Sequence, residues 1–301
     1  MGKTNYIRFD WAIKRLLRQK ANFVILEGFL STVLGDDIRI EKILDSESNK
    51  EHAVDKFNRV DLLAENSAGE LLIIEVQNNR ELNYFHRMLY GTSKVITEYI
   101  GEGEEYDNVK KVYSINVVYF ELGQGKDYVY HGRTEFRGIH GKDILQLSAS
   151  QKKQFACKEA GDIYPEYYIL RVEDFNEVAT TQLDEWILFL KTSEIPENAT
   201  AKGLSEARKR LRVDNMSASE RATYNDHIEA VRYQQSVIKT GIIEGREEGR
   251  EEGIKEGIKE GRVEAFTEVV VNAYRNGLTI EQIQTITQLG EEQIREILNI
   301  S

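Results

Sequence analysis

The chain has 301 residues, a formal net charge of −11 and 41% apolar residues. That apolar share supports a folded core and excludes a disordered chain, while the acidic balance disfavours a protein that coats nucleic acid by bulk charge. No stretch approaches the roughly 20 continuous apolar residues of a membrane span, residues 1–20 lack a signal-peptide core, and a single cysteine, Cys157, excludes an intrachain disulfide, so a cytoplasmic protein with no membrane partner is expected.

Phe9, Ile13, Leu16 and Leu17 recur at helical spacing. Asn22 stands where a second helix would be capped, with Phe23, Leu26, Phe29, Leu30, Val33 and Leu34 as its apolar stripe and Gly35 as its end. Ile38 and Ile40 alternate with polar residues as in a strand, and residues 46–56 are polar. Two apolar runs, 60–64 and 71–76, flank residues 65–70, which have hairpin-loop composition. Residues 82–100 predict a long helix ending at Gly101 and Gly103, and 111–122, 128–136 and 167–172 predict strands. From Gln182 onward the pattern is helical throughout. The expected division is an α/β domain over 1–205, a helical linker over 206–264 and a small helical segment over 265–301.

Pairing Leu63 with Ile73 centres the hairpin turn near Ala68 and sets Asp61 opposite Glu75, about 5 Å apart at Cβ. Gln77 follows on the same face, and a one-residue slip would bury the wrong faces. Val60, Leu62 and Ala64 are expected to share one apolar face, as are Leu72, Ile74 and Val76. Two carboxylates held this close repel each other unless a cation intervenes, and oxygen donors favour Mg²⁺ or Mn²⁺. The pattern taken alone also fits solvent-facing residues of an edge hairpin.

The element order helix (22–34), strand (38–44), strand (58–65), strand (70–77), helix (81–100), strand (111–121) resembles the αβββαβ, restriction-endonuclease-like core of PD-(D/E)XK nucleases. Asn58-Arg59-Val60-Asp61-Leu62-Leu63, Ile73-Ile74-Glu75-Val76-Gln77-Asn78 and Arg87-Met88-Leu89-Tyr90 are similar to the Rpn-type recombination-promoting nucleases, also described as PD-(D/E)XK family transposases. The resemblance implies an α/β fold with a helical C-terminal extension. It also implies a Mg²⁺-dependent endonuclease acting on DNA and promoting recombination or mobile-element movement. By the same resemblance Asp61, Glu75 and the Val76 carbonyl are metal ligands, Gln77 stands where the superfamily name has Lys, and Glu27 is an additional acid. Gln cannot act as a cation there, so it would orient water or donate a neutral hydrogen bond. Arg59, Arg87 and Lys94 are candidates for phosphate contact, although Arg87, Tyr90 and Lys94 also fit a solvated helix face. The competing expectation is a DNA-binding or interaction protein that kept the fold and lost turnover, favoured by Gln77 and the acidic balance.

The five histidines show no ligand spacing, Cys157 has no evident base partner, and Gly123-Gln124-Gly125-Lys126 lacks P-loop spacing. Gly241, Gly245, Gly249, Gly253, Gly257 and Gly261 recur every four residues, with Glu244 to Glu264 in step. Each interior Gly costs a helix about 1 kcal/mol against Ala. Two readings stay open for this stretch: a flexible charged linker, or a helix whose glycines let a second copy approach to form a homo-oligomer. Residues 266–300 predict short helices, with openings at Thr279 and Gly290 that resemble helix-turn-helix elements but show no basic recognition face.

Overall fold

The computed structural model describes residues 6–44, 60–101, 103–155, 157 and 159–300. Two units divide it, one running to Val231 and one from Arg232.

The first unit is a mixed sheet between helical layers. Helix α1 (Phe9–Arg15) and helix α2 (Phe23–Leu34) precede strand β1 (Ile40–Leu44). Strands β2 (Leu62–Asn66) and β3 (Leu71–Gln77) form the hairpin, and helix α3 (Tyr84–Glu98) leads to β4 (Val112–Val118). Then come β5 (Val129–Gly132), α4 (Ala149–Phe155), β6 (Glu166–Arg171), α5 (Gln182–Thr192) and α6 (Leu204–Arg210). The sheet order is β1-β2-β3-β4-β6-β5. β1, β2 and β3 run antiparallel, β3, β4 and β6 run parallel, and β5 closes the far edge antiparallel to β6. An αβββαβ core with a helical extension is therefore the architecture that this chain adopts.

Both faces of the central strands are apolar because both are covered. On one face Leu62, Ala64, Leu72, Ile74, Val76, Ile115 and Val117 pack against Phe9, Phe29, Leu30, Trp186, Phe189 and Leu204. On the other, Leu63, Leu71 and Ile73 meet Val95 of α3. Val60 departs from its expected place: it joins Leu63 and Ile73 rather than Leu62 and Ala64. The chain bends at Asp61, and the strict alternation of a strand starts only at Leu62. Gly35 ends α2 in the left-handed conformation, φ 72°. Asn22 precedes α2, but its side chain does not cap it: Nδ2 donates to the Leu16 carbonyl and Oδ1 accepts from Arg210. Gly28 has no room for a side chain, since a Cβ there would lie 2.2 Å from the Lys202 carbonyl oxygen.

The first unit extends past residue 205 because the chain beyond it completes the core. Ala207, Leu211 and Tyr224 are all buried there. Helix α7 (Ala218–Arg275) includes the whole glycine stripe, and within 4 Å of a Cβ built on any of its six glycines there is nothing. The second unit has its own small core, in which Val270 of α7 meets Ile283 of α8 (Ile280–Thr287) and Ile294 of α9 (Glu291–Leu298). Thr279 caps α8 by accepting from the Gln282 amide. No helix among the described residues is long and apolar enough to cross a membrane.

Candidate active site

The hairpin register is the one the apolar pattern requires: Leu62 pairs with Ile74 and Leu63 with Ile73. Asp61 lies just before the ladder, and its side chain continues it, with Oδ2 accepting from the Val76 amide at 2.8 Å. That bond fixes the carboxylate beside the C-terminal end of β3, where Glu75 and Gln77 stand. In open α/β sheets ligands bind outside the carboxyl ends of the strands.

Glu75 pairs across the parallel ladder with Asn116 of β4. Burial, and next the charge of Asp61, push its carboxyl up to about 8. Arg87 works in the opposite direction, with Nη2 3.7 Å from Glu75 Oε2. A cavity of about 10 Å³ beside Glu75 is lined also by Tyr84, Arg87, Ser114 and Asn116, which is room for about one water. The Tyr84 hydroxyl donates to Asn116 Oδ1 at 3.1 Å, and Asn116 Nδ2 donates to Ser114 Oγ at 3.0 Å. Burial pushes the Tyr84 phenol far above its ordinary range, so it stays a donor.

Gln77 is tied down. Its Nε2 donates to Glu81 Oε1 at 2.7 Å, and Arg87 Nη1 donates to the same oxygen at 2.9 Å. Gln77, Glu81, Arg87 and Glu75 thus form one chain of contacts. Arg87, expected on a phosphate-binding rim, lies inside the site with both carboxylates as partners. Lys94 sits two turns on along α3, beside Glu98 at 3.8 Å. Arg59 lies outside the described residues.

Glu27 is not brought to the site. Its Oε1 accepts from the Ile40 amide at 2.9 Å, and Ile40 pairs with Asn66 at the turn end of the hairpin. Five strand residues, roughly 16 Å, separate Asn66 from Asp61. Its carboxylate anchors edge strand β1 to α2.

The structure adds residues that the motifs do not contain. Lys14 of α1 places Nζ 3.0 Å from Asp61 Oδ1, and Arg18 Nη2 donates to the Asp61 carbonyl at 2.7 Å. They are four residues apart, the one sequence signal that could have paired them on a single helical face. Next to Gln77, Asn78 Nδ2 donates to Asp10 Oδ2 at 3.0 Å. Asp10 also accepts from Arg8, from the Trp11 amide and from His227 Nε2 at 3.2 Å. Burial opposes its charge, but His227 and Arg8 hold it well below the usual carboxylate range.

Asp61 and Glu75 would supply carboxylate oxygens to a cation, and the sequence resemblance adds the Val76 carbonyl as a third donor. One or two carboxylates completed by waters is how Mg²⁺ is commonly held. Glu75 held near 8 by burial and by Asp61 marks a pair short of positive charge. The residues therefore fit a hard divalent cation, although no group of three His, Cys, Asp or Glu side chains forms a metal cluster among the described residues.

Residues 7–146 match a family model described as PD-(D/E)XK nuclease family transposase. No curated protein and no solved structure matches the chain.

Proposed function

We propose, from the match of residues 7–146 to the PD-(D/E)XK nuclease family transposase model, that this chain is a divalent-metal-dependent DNA endonuclease serving recombination or mobile-element movement. The observation that carries this reading is the placement of Asp61 against the Val76 amide beside a largely enclosed Glu75. An ion such as Mg²⁺ or Mn²⁺, held by Asp61, Glu75 and the Val76 carbonyl, would activate water and offset charge on a phosphoryl oxygen.

The chain's own groups have separate tasks in this reading. Hydrolysis joins a water oxygen to phosphorus, breaks one P–O ester bond and leaves a proton on the departing oxygen. Asp61 is oriented by the Val76 amide through Oδ2, and its second oxygen faces the Lys14 ammonium at 3.0 Å. Arg87 offsets Glu75 and, with Gln77, holds Glu81. Gln77 is then a brace of the site through its amide nitrogen. Lys94 and the half-exposed Tyr90 extend the same flank of α3 outward, where a DNA backbone would run.

Nicking and linearisation of supercoiled plasmid by the purified protein, with Mg²⁺ or Mn²⁺, tests the proposal beside Asp61→Ala and Glu75→Ala. Metal-dependent cleavage lost in both variants is the expected result. Absence of cleavage by the wild type in both metals, on duplex and single-stranded DNA, would transfer the site to a binding protein that kept the nuclease fold.

A further inference from the structure

A carboxylate pair that acts on phosphodiesters needs positive charge near the phosphate, and Gln77 carries none. Among the described residues two cations touch the pair. Arg87 is committed: its side chain is 27% exposed and its guanidinium spans Glu75 and Glu81. Lys14 is different. Its side chain is 48% exposed, and its ammonium has Asp61 Oδ1 as its carboxylate partner at 3.0 Å.

We propose that Lys14, delivered by α1 rather than by β3, is the cation of the active site and contacts the scissile phosphate. The assignment rests on the nuclease reading above. An ammonium has three rotatable N–H donors on a flexible stem. One can stay on Asp61 while another reaches a non-bridging phosphate oxygen. The anchor for this is Arg18, whose bond to the Asp61 carbonyl ties the turn that follows α1 to the residue whose side chain Lys14 holds. Arg18 and Lys14 thus bracket Asp61, one on the main chain and one on the carboxylate. α1 belongs to the layer on the Leu62–Ile74 face of the sheet, and α3 to the opposite layer. The site is assembled at the end of the sheet, where both layers supply a charge. As stability alone, an ion pair whose lysine is half exposed contributes about 1 kcal/mol, and Asp61 already has the Val76 amide to orient it.

The experiment compares wild type, Lys14→Gln, Lys14→Arg and Asp61→Ala in two measurements: steady-state cleavage of plasmid DNA, and Mn²⁺ binding by calorimetry without DNA. Removing one charged donor at a reacting oxygen typically costs about 100-fold in kcat. Lys14→Gln is expected to lose that much in kcat with little change in KM, to bind Mn²⁺ no more weakly than wild type, and Lys14→Arg to recover part of the rate. Wild-type turnover in Lys14→Gln, with cleavage lost in Asp61→Ala, overturns the assignment and leaves the nuclease reading in place. Mn²⁺ binding that falls in step with cleavage in Lys14→Gln also overturns it, since Lys14 would then only shape the metal ligand. A wild type that does not cut removes the nuclease reading and the assignment together.

Discussion

A buried acid, Asp10, and a largely enclosed one, Glu75, lie near the C-terminal end of β3, and their surroundings drive them in opposite directions. Asp10 is fully enclosed but surrounded by donors: Arg8, His227, Asn78 and the Trp11 amide. It stays ionised far below the usual range. Glu75 has one guanidinium at 3.7 Å and a second carboxylate as neighbour, and its carboxyl moves up to about 8. Burial costs both a charge; what differs is the compensation. A satisfied acid holds a structure together, and an undercompensated one leaves room for a cation or a proton to bind.

The largest expected effect comes from breaking the satisfied member. Asp10→Asn removes the charge that Arg8 and His227 face and should destabilise the first unit by about 3–5 kcal/mol in chemical denaturation, as for other buried pairs left half intact. A loss below about 1 kcal/mol would mean that solvent screens the cluster as at an exposed pair.

Glu75 should behave in the opposite sense. Its carboxyl in the folded protein titrates above the ordinary 4.5 of an unfolded chain. Its contribution to stability is therefore full below about pH 4.5 and is lost as pH rises towards 8. Glu75→Gln should be more stable than wild type at pH 8 by on the order of a few kcal/mol, with little difference at pH 4. Thermal melts across that range in metal-free buffer decide it, and parallel curves for the two proteins would contradict the assignment of Glu75 as the strained acid.

The smallest effect lies away from both acids. Along α7 the glycines face open space, so Gly249→Ala meets no obstacle. It should strengthen the helix by up to about 1 kcal/mol while leaving plasmid cleavage unchanged. A drop in cleavage would show that the stripe touches something the isolated chain lacks.

Much of this was legible in the sequence because it depends on local period. Alternation on the two runs around residues 65–70 allowed a single register that buries both apolar sets, and that register alone brings Asp61 towards Glu75. The same reasoning failed at Val60, where a bend precedes the strand, and at Glu27, whose helical position does not say which end of the hairpin it meets. Lys14, Arg18 and Asp10 were out of reach for a further reason. They lie 43 to 68 residues from the partners they hold at Asp61 and Asn78, and no period links such positions. The sequence by itself determined the hairpin strands and their pairing, because hydrophobic burial is read from pattern. Tertiary structure decided which charges surround each acid, because electrostatic compensation depends on distances between elements that only packing brings together.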